Sequence, residues 1–210
     1  MILVKYLVNL KNKNNFAEWY KEIIMQFNSH KALEGLHAIF SPSQPAWLRY
    51  SDDKAVEYMN NKQAAEMGTI LHAWAKQTID LGIKQPKSKK TLYAYVNDAI
   101  GYRMSTEVVL YYSPRFFGTA DSISFRHNFL RIHDLKTGKS PVHPEQLLVY
   151  AALFCLEYKI KPGELDGIEL RIYQNDDILV IEPTAEDILP IMNRIVYLDK
   201  MLEKFDLQEA

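Results

Sequence analysis

Gly118-Thr-Ala-Asp-Ser-Ile-Ser-Phe125, followed by Asn128-Phe-Leu-Arg-Ile-His-Asp-Leu-Lys136 and then Thr137-Gly138, decides how this chain folds. The two runs read as strands of a hairpin joined through Arg126-His127. Side chains alternate faces on a strand, so Asp134 and Lys136 point the same way, about 7 Å apart. Thr137-Gly138 ends the strand in a turn and sets the pair at the sheet's edge. A carboxylate there can hold a hard divalent cation, and the ammonium can orient a nucleophilic water or stabilise charge developing on phosphorus. Asp121, on the preceding strand, comes within reach of the same metal if the hairpin register allows. Repulsion disfavours two such carboxylates without a cation between them. Taken alone, Asp134 and Lys136 also fit a surface ion pair, the commoner arrangement, and Asp121 beside a glycine turn is less specific still.

Working outward, Glu107-Val-Val-Leu-Tyr-Tyr112 is rich in residues that suit a pleated surface and reads as a further strand. A helix is expected from about Lys54 to Leu81, with a break near Gly68. Ser41-Pro-Ser43 offers hydroxyls to cap a short helix through Trp47. Lys84-Gln-Pro-Lys-Ser-Lys-Lys90 is polar, basic and interrupted by proline, the mark of an exposed loop. Downstream, Pro144 opens a helix to about Tyr158, with Leu147, Leu148, Ala151 and Phe154 available for burial. Strands around Ile168–Tyr173 and Asp177–Ile181 turn at Asn175-Asp176. Thr184 then caps a last helix whose first turn carries Glu186 and Asp187. The order is helices, three strands, helix, two strands, helix. It predicts an α/β fold of the mixed α+β kind, a mixed sheet flanked by helices, in one domain over residues 1–210.

The 210 residues carry a formal net charge of -1, which argues against a purely electrostatic nucleic-acid binder but not against an enzyme with a local basic cleft. Cys155 is the single cysteine, so one chain can form no internal disulfide and no cysteine-ligated zinc or iron–sulfur site. A reducing, intracellular setting fits. No apolar run approaches the roughly 20 residues of a membrane span. Met1–Leu10 is apolar but lacks a basic leader and a cleavage site, and reads as a strand or short helix rather than a signal peptide.

Gln146 and Tyr150, four residues apart, share a helical face. Gly68 precedes His72 on an earlier helix and permits close approach to a neighbouring element. Each of these residues alone reads as an ordinary structural or surface position; their joint order carries more. Gly68-Thr-x-x-His72, Gly118-x-x-Asp121, Asp134-x-Lys136-Thr-Gly138 and Gln146-x-x-x-Tyr150 together resemble the signature of PD-(D/E)XK nucleases, in the branch containing the RecB and Cas4 nuclease domains. The resemblance covers about residues 37–158. Its start, His37-Ala-Ile-Phe-Ser41-Pro-Ser43 leading to Trp47-Leu48, is similar to small phage and prophage nucleases of this class.

The resemblance implies a restriction-endonuclease-like central mixed sheet flanked by helices. Its motif-bearing core would span about 37–182, with an N-terminal extension over 1–36 and a C-terminal helix over 184–205. It implies that His72, Asp121, Asp134 and the backbone carbonyl of Leu135 bind metal, with Glu107 as a further candidate carboxylate. Asp121, Asp134 and Lys136 would be catalytic, Lys136 beside the attacking water, while Gln146 and Tyr150 support the active site or contact the DNA backbone. The implied cofactor is Mg²⁺ or Mn²⁺, with an imidazole ligand favouring Mn²⁺ in vitro. Relatives with an iron–sulfur cluster hold it through four cysteines. Here Tyr50 follows Trp47-Leu48-Arg49 and no cysteine cluster exists, so a branch without the cluster is implied.

The activity implied is a metal-dependent deoxyribonuclease, foremost an exonuclease of recombination, replication or DNA breakdown. Its partners would be DNA and a recombination or replication protein, without a membrane. Its location would be cytoplasmic, in the host if the protein is phage-encoded. A structure-specific endonuclease and a catalytically silent DNA-binding or scaffold subunit are the alternatives. Loss of Asp134 or Lys136 would mark a silent member, and both are present. Lys84, Lys87, Lys89 and Lys90 could grip phosphates, although a solvated loop explains them too. Tyr93, Tyr95, Tyr102, Tyr111 and Tyr112 could stack on unpaired bases, or simply fill strands and core. No recognition helix or zinc finger is evident, so little base specificity is expected.

Overall fold

The computed structural model describes residues 28–33, 35–36, 38–138 and 141–209, the last five by backbone alone. The element expected over Met1–Leu10 lies outside the described residues, as does His37. The chain divides into two units, Met1–Tyr50 and Ser51–Ala210. In the first, the short helix expected through Trp47 is a 3-10 turn, Pro45–Arg49, that begins without a side-chain cap. The Ser41 and Ser43 hydroxyls bond each other at 2.8 Å instead. Trp47 is tied down by its indole N–H, which donates to the Ser41 carbonyl at 3.0 Å.

The second unit is a five-stranded mixed sheet flanked by helices, with the strands side by side in chain order. They are β1 (Ser105–Ser113), β2 (Phe116–Arg126), β3 (Phe129–Leu135), β4 (Gly167–Gln174) and β5 (Asp177–Ile181). β3 and β4 run parallel; the other neighbours are antiparallel. The β2–β3 turn is His127-Asn128, one residue later than expected, with both residues at φ near +50°. A two-residue hairpin needs that left-handed pair, and Asn tolerates it well. Asn175-Asp176 turns β4 into β5 in the same way.

Four helices pack on this sheet: α1 (Asp52–Asp80), α2 (Thr91–Gly101), α3 (Glu145–Tyr158) and α4 (Ala185–Glu209). The Ser51 hydroxyl caps α1 by accepting from the Lys54 N–H, and Asp52 and Asp53 suit its positive end. The expected break near Gly68 does not occur; α1 continues through it. The helix is spared because one glycine costs only about 1 kcal/mol, which 29 residues of continuous hydrogen bonding absorb. α2 has no counterpart among the elements expected from the sequence. Its Leu92, Tyr95, Val96 and Ala99 fall at helical spacing and face the core shared with Leu135 and Tyr173. α1, α2 and α3 end alike: the residue after the last turn is left-handed and the next N–H reaches back five residues. Gly82 fills that left-handed position in α1, but Arg103 and Lys159 fill it in α2 and α3.

α3 covers the opposite face and, with Ile188 and Ile195 of α4, buries Leu110, Ala120, Ile132 and Leu170 in the main core. Pro144 stands immediately before α3, and Leu147, Ala151 and Phe154 are buried as the spacing required. The exposed loop expected over Lys84–Lys90 is present. It is tied to α2 where Asn97 accepts from the Gln85 N–H at 2.8 Å and donates to its carbonyl at 3.0 Å. No helix among the described residues is long and apolar enough to cross a membrane.

On the α2 side, β3 and β4 carry a polar network beside the apolar packing of Leu135 and Tyr173. Arg171 donates to Asp98, to the Tyr102 hydroxyl and to Glu169, each at 3.0 Å, and the Tyr173 hydroxyl donates to Asp98 at 2.7 Å. His133 is fully buried, 3.2 Å from the Tyr173 hydroxyl. Burial, with Arg171 and Arg131 nearby, pushes its pKa down to about 3, so it is neutral. Glu169 is the carboxylate that faces both Arg131 and Arg171. Glu169→Ala should therefore cost about 2–4 kcal/mol in urea unfolding, because two guanidinium groups lose a partner in a largely dry site. A loss under about 1 kcal/mol would show the network to be solvated.

Candidate metal centre

β2 and β3 pair from Arg126↔Phe129 as far as Ser122↔His133. At the next position the backbones stop pairing, and the Asp121 side chain takes over, accepting from the Leu135 N–H at 2.9 Å. β1 is irregular at the same level. Glu107 has φ of +51°, a strained conformation for a non-glycine residue in mid-strand. Side-chain alternation slips here too: Ala120 and Ile123, an odd number of residues apart, both reach the main core. The slip turns Asp121 and Glu107 towards α1. There His72 Nδ1 lies 3.5 Å from Asp121 Oδ2, and His72, Glu107 and Asp121 each offer one ligand atom within 4.8 Å of the others.

Burial raises the Asp121 pKa to about 6, helped by Asp134 and Glu107 and opposed by the Leu135 N–H and His72. An aspartate held well above its usual value beside two more carboxylates would be eased by a counter-charge placed among them. Asp134 is buried on the α3 side of β3. Lys136 Nζ bonds its Oδ1 at 3.1 Å and lies 3.0 Å from Oδ2, but Oδ2 has no hydrogen-bond partner. Lys136 also donates to Gln146 Oε1 at 2.9 Å, and Gln146 Nε2 donates to the Tyr150 hydroxyl at 3.2 Å. Strand and helix residues thus form one chain, Asp134–Lys136–Gln146–Tyr150. Two glycines permit the approach: a Cβ at Gly68 would meet Thr137 Oγ1 at 2.8 Å, and one at Gly118 would meet the Tyr150 ring at 2.8 Å.

Imidazole, carboxylates and an orphaned buried oxygen make a donor set that fits Mn²⁺ or Mg²⁺. His72, Glu107 and Asp121 come together as one set. Asp134 stands beside it without sharing the mutual 4.8 Å spacing, and Leu135 enters through its N–H to Asp121. The triad lines an open cleft of about 1200 Å³. α1 lines the cleft with two adjacent rows of residues four apart, Asn60–Ala64–Gly68–His72–Lys76 and Asn61–Ala65–Thr69–Ala73. The helical period places these residues on one face with the Gly68–His72 motif. Lys84, Lys87, Lys89 and Lys90 are exposed and do not line the cleft. Tyr95 is buried in the core, whereas Tyr111 is exposed on the sheet. Comparison with protein-family models, curated proteins and solved structures returns no match.

The raised Asp121 pKa fixes a sign. Between about pH 4 and pH 6 Asp121 is more protonated in the folded, cation-free protein than in the unfolded chain, so its own contribution to stability falls as pH rises through that window, while buried neutral His133 contributes with the opposite sign. Asp121→Asn keeps an acceptor for the Leu135 N–H and removes the penalty. In chelator at pH 7.5, roughly 1–3 kcal/mol of added stability is expected, seen as a higher Tm. The same variant should lose the Tm increase that Mn²⁺ gives the wild type. An unchanged or lower Tm in chelator would show Asp121 to be adequately solvated.

Proposed function

We propose that the chain is a metal-dependent deoxyribonuclease of the PD-(D/E)XK class that digests DNA from its ends. The supporting observation is the meeting of the His72–Glu107–Asp121 donor set with the Asp134–Lys136 pair beside an open cleft. A divalent cation bound by these side chains would neutralise charge on a phosphodiester and favour deprotonation of the attacking water. The protein's own part is positioning. Lys136, fixed between Asp134 and Gln146, presents an ammonium that can hold the water or the phosphate oxygen. Tyr150 fixes Gln146 in turn and so limits the freedom of Lys136. Glu107 reaches the donor set from a left-handed backbone conformation that is costly for a non-glycine residue.

The openness of the cleft supports a second reading, an endonuclease that admits continuous strands. Linear and covalently closed circular DNA separate the two. With Mg²⁺ or Mn²⁺, linear DNA alone should disappear, chelator should stop the reaction, and Asp134→Ala should slow it by more than about 10²-fold. Cutting of circles would move the reading to the endonuclease. Inactivity on linear, circular, single-stranded, flapped and RNA substrates would overturn catalysis.

A further inference from the structure

The β1–β2 ladder continues beyond the donor triad. Val108, Leu110 and Ala120 turn into the core beneath α3, and Gly118 lies against Tyr150 there. The intervening side chains face the other way. Moving outward from Glu107 and Asp121, the next pairs on that face are Val109 opposite Thr119 and then Tyr111 opposite Phe117. These positions are bare: Val109 is 54% exposed, Tyr111 46% and Phe117 61%. The Tyr111 and Phe117 rings lie 6.5 Å apart, tilted by 32°, and form a continuous aromatic surface. None of the four side chains is charged. Among the described residues the patch is contiguous and exposed, and contiguous exposed apolar patches mark binding surfaces.

We propose that this face is a stacking platform for unpaired bases of the strand whose phosphate occupies the donor site, so that single strands and frayed ends are the favoured substrate. The inference rests on the nuclease reading for the position of the phosphate. Four residues of strand separate Glu107 from Tyr111, about 13 Å. That distance spans about four nucleotides at the 3.4 Å per-strand spacing of stacked DNA. The surface offers rings and no cations, which suits the face of a base and not a phosphate. In a duplex those faces are covered by neighbouring pairs, whereas a separated strand presents them. A second copy adding to the β1 edge is a poorer occupant, because Glu157 Oε2 already accepts from the Tyr111 N–H at 2.8 Å.

The test measures anisotropy of labelled oligothymidylate and of a labelled duplex, with Ca²⁺ as the cation, for the full chain and for Phe117→Ala, Tyr111→Ala and Phe117→Tyr. Each alanine should weaken single-strand binding about tenfold and shift the single-strand to duplex preference, while Phe117→Tyr retains it. Thermal melting confirms that each variant folds. Unchanged single-strand affinity, an equal loss on duplex, or a dimer that Phe117→Ala dissolves would each overturn the platform. Ring-dependent binding by a protein that cuts nothing would uphold the platform and remove the nuclease reading. Cutting that ignores both rings would do the reverse.

Discussion

Carboxylate crowding at the end of the β2–β3 ladder is the constraint on which the rest of the site depends. Asp121, Asp134 and Glu107 converge where two strands stop pairing, and among the described residues the Leu135 N–H is the backbone donor that Asp121 receives there. Bringing such groups together costs free energy in the absence of a counter-charge. Part of that charge comes from Lys136, which pairs with Asp134. His72 approaches Asp121 but is equally suited to be a ligand. The strained Glu107 backbone adds a further cost at the same point. Costs gathered in one place, with an open cleft beside them, point to a site kept for binding rather than for stability.

The two faces of the sheet share the work of holding that arrangement. Apolar packing beneath α3 fixes Ile132 and Leu130, and with them the side of β3 from which Asp134 projects. On the other face, the Asp98–Arg171–Glu169 network and neutral His133 tie β3 and β4 to α2. The two close glycine contacts serve the same end. Gly68 lets α1 pass Thr137, and Gly118 lets the Tyr150 ring lie on β2.

Much of the sheet was legible because the strands declare themselves locally as alternating or β-branched runs, and the β2–β3 and β4–β5 turns carry Asn or Asp. α2 was not, since its tyrosines and valine suit strands as well as helices, and its end is marked by Arg103 where a glycine would have been informative. A break at Gly68 was open on propensity, and the continuous hydrogen bonding of a long helix carries α1 through it. For the site, the pairing of Asp134 with Lys136 and the Gln146–Tyr150 face followed from period alone. The convergence of Glu107 with His72 and Asp121 did not. It depends on a slip in side-chain alternation and a left-handed residue in mid-strand, neither of which leaves a trace in residue type. Likewise, the separation of Asp134 from the triad's mutual spacing is set by the parting of β2 and β3, a tertiary event.

The central claim is that His72, Glu107 and Asp121 hold a divalent cation beside Asp134. Anomalous diffraction from crystals of the full chain grown with Mn²⁺ tests it most directly. The account predicts a strong peak within coordination distance of all three side chains, close to Asp134 Oδ2 and absent from crystals of Glu107→Gln. A peak coordinated without His72 and Asp121, or an empty site at saturating Mn²⁺ with the three side chains arranged as here, would contradict it.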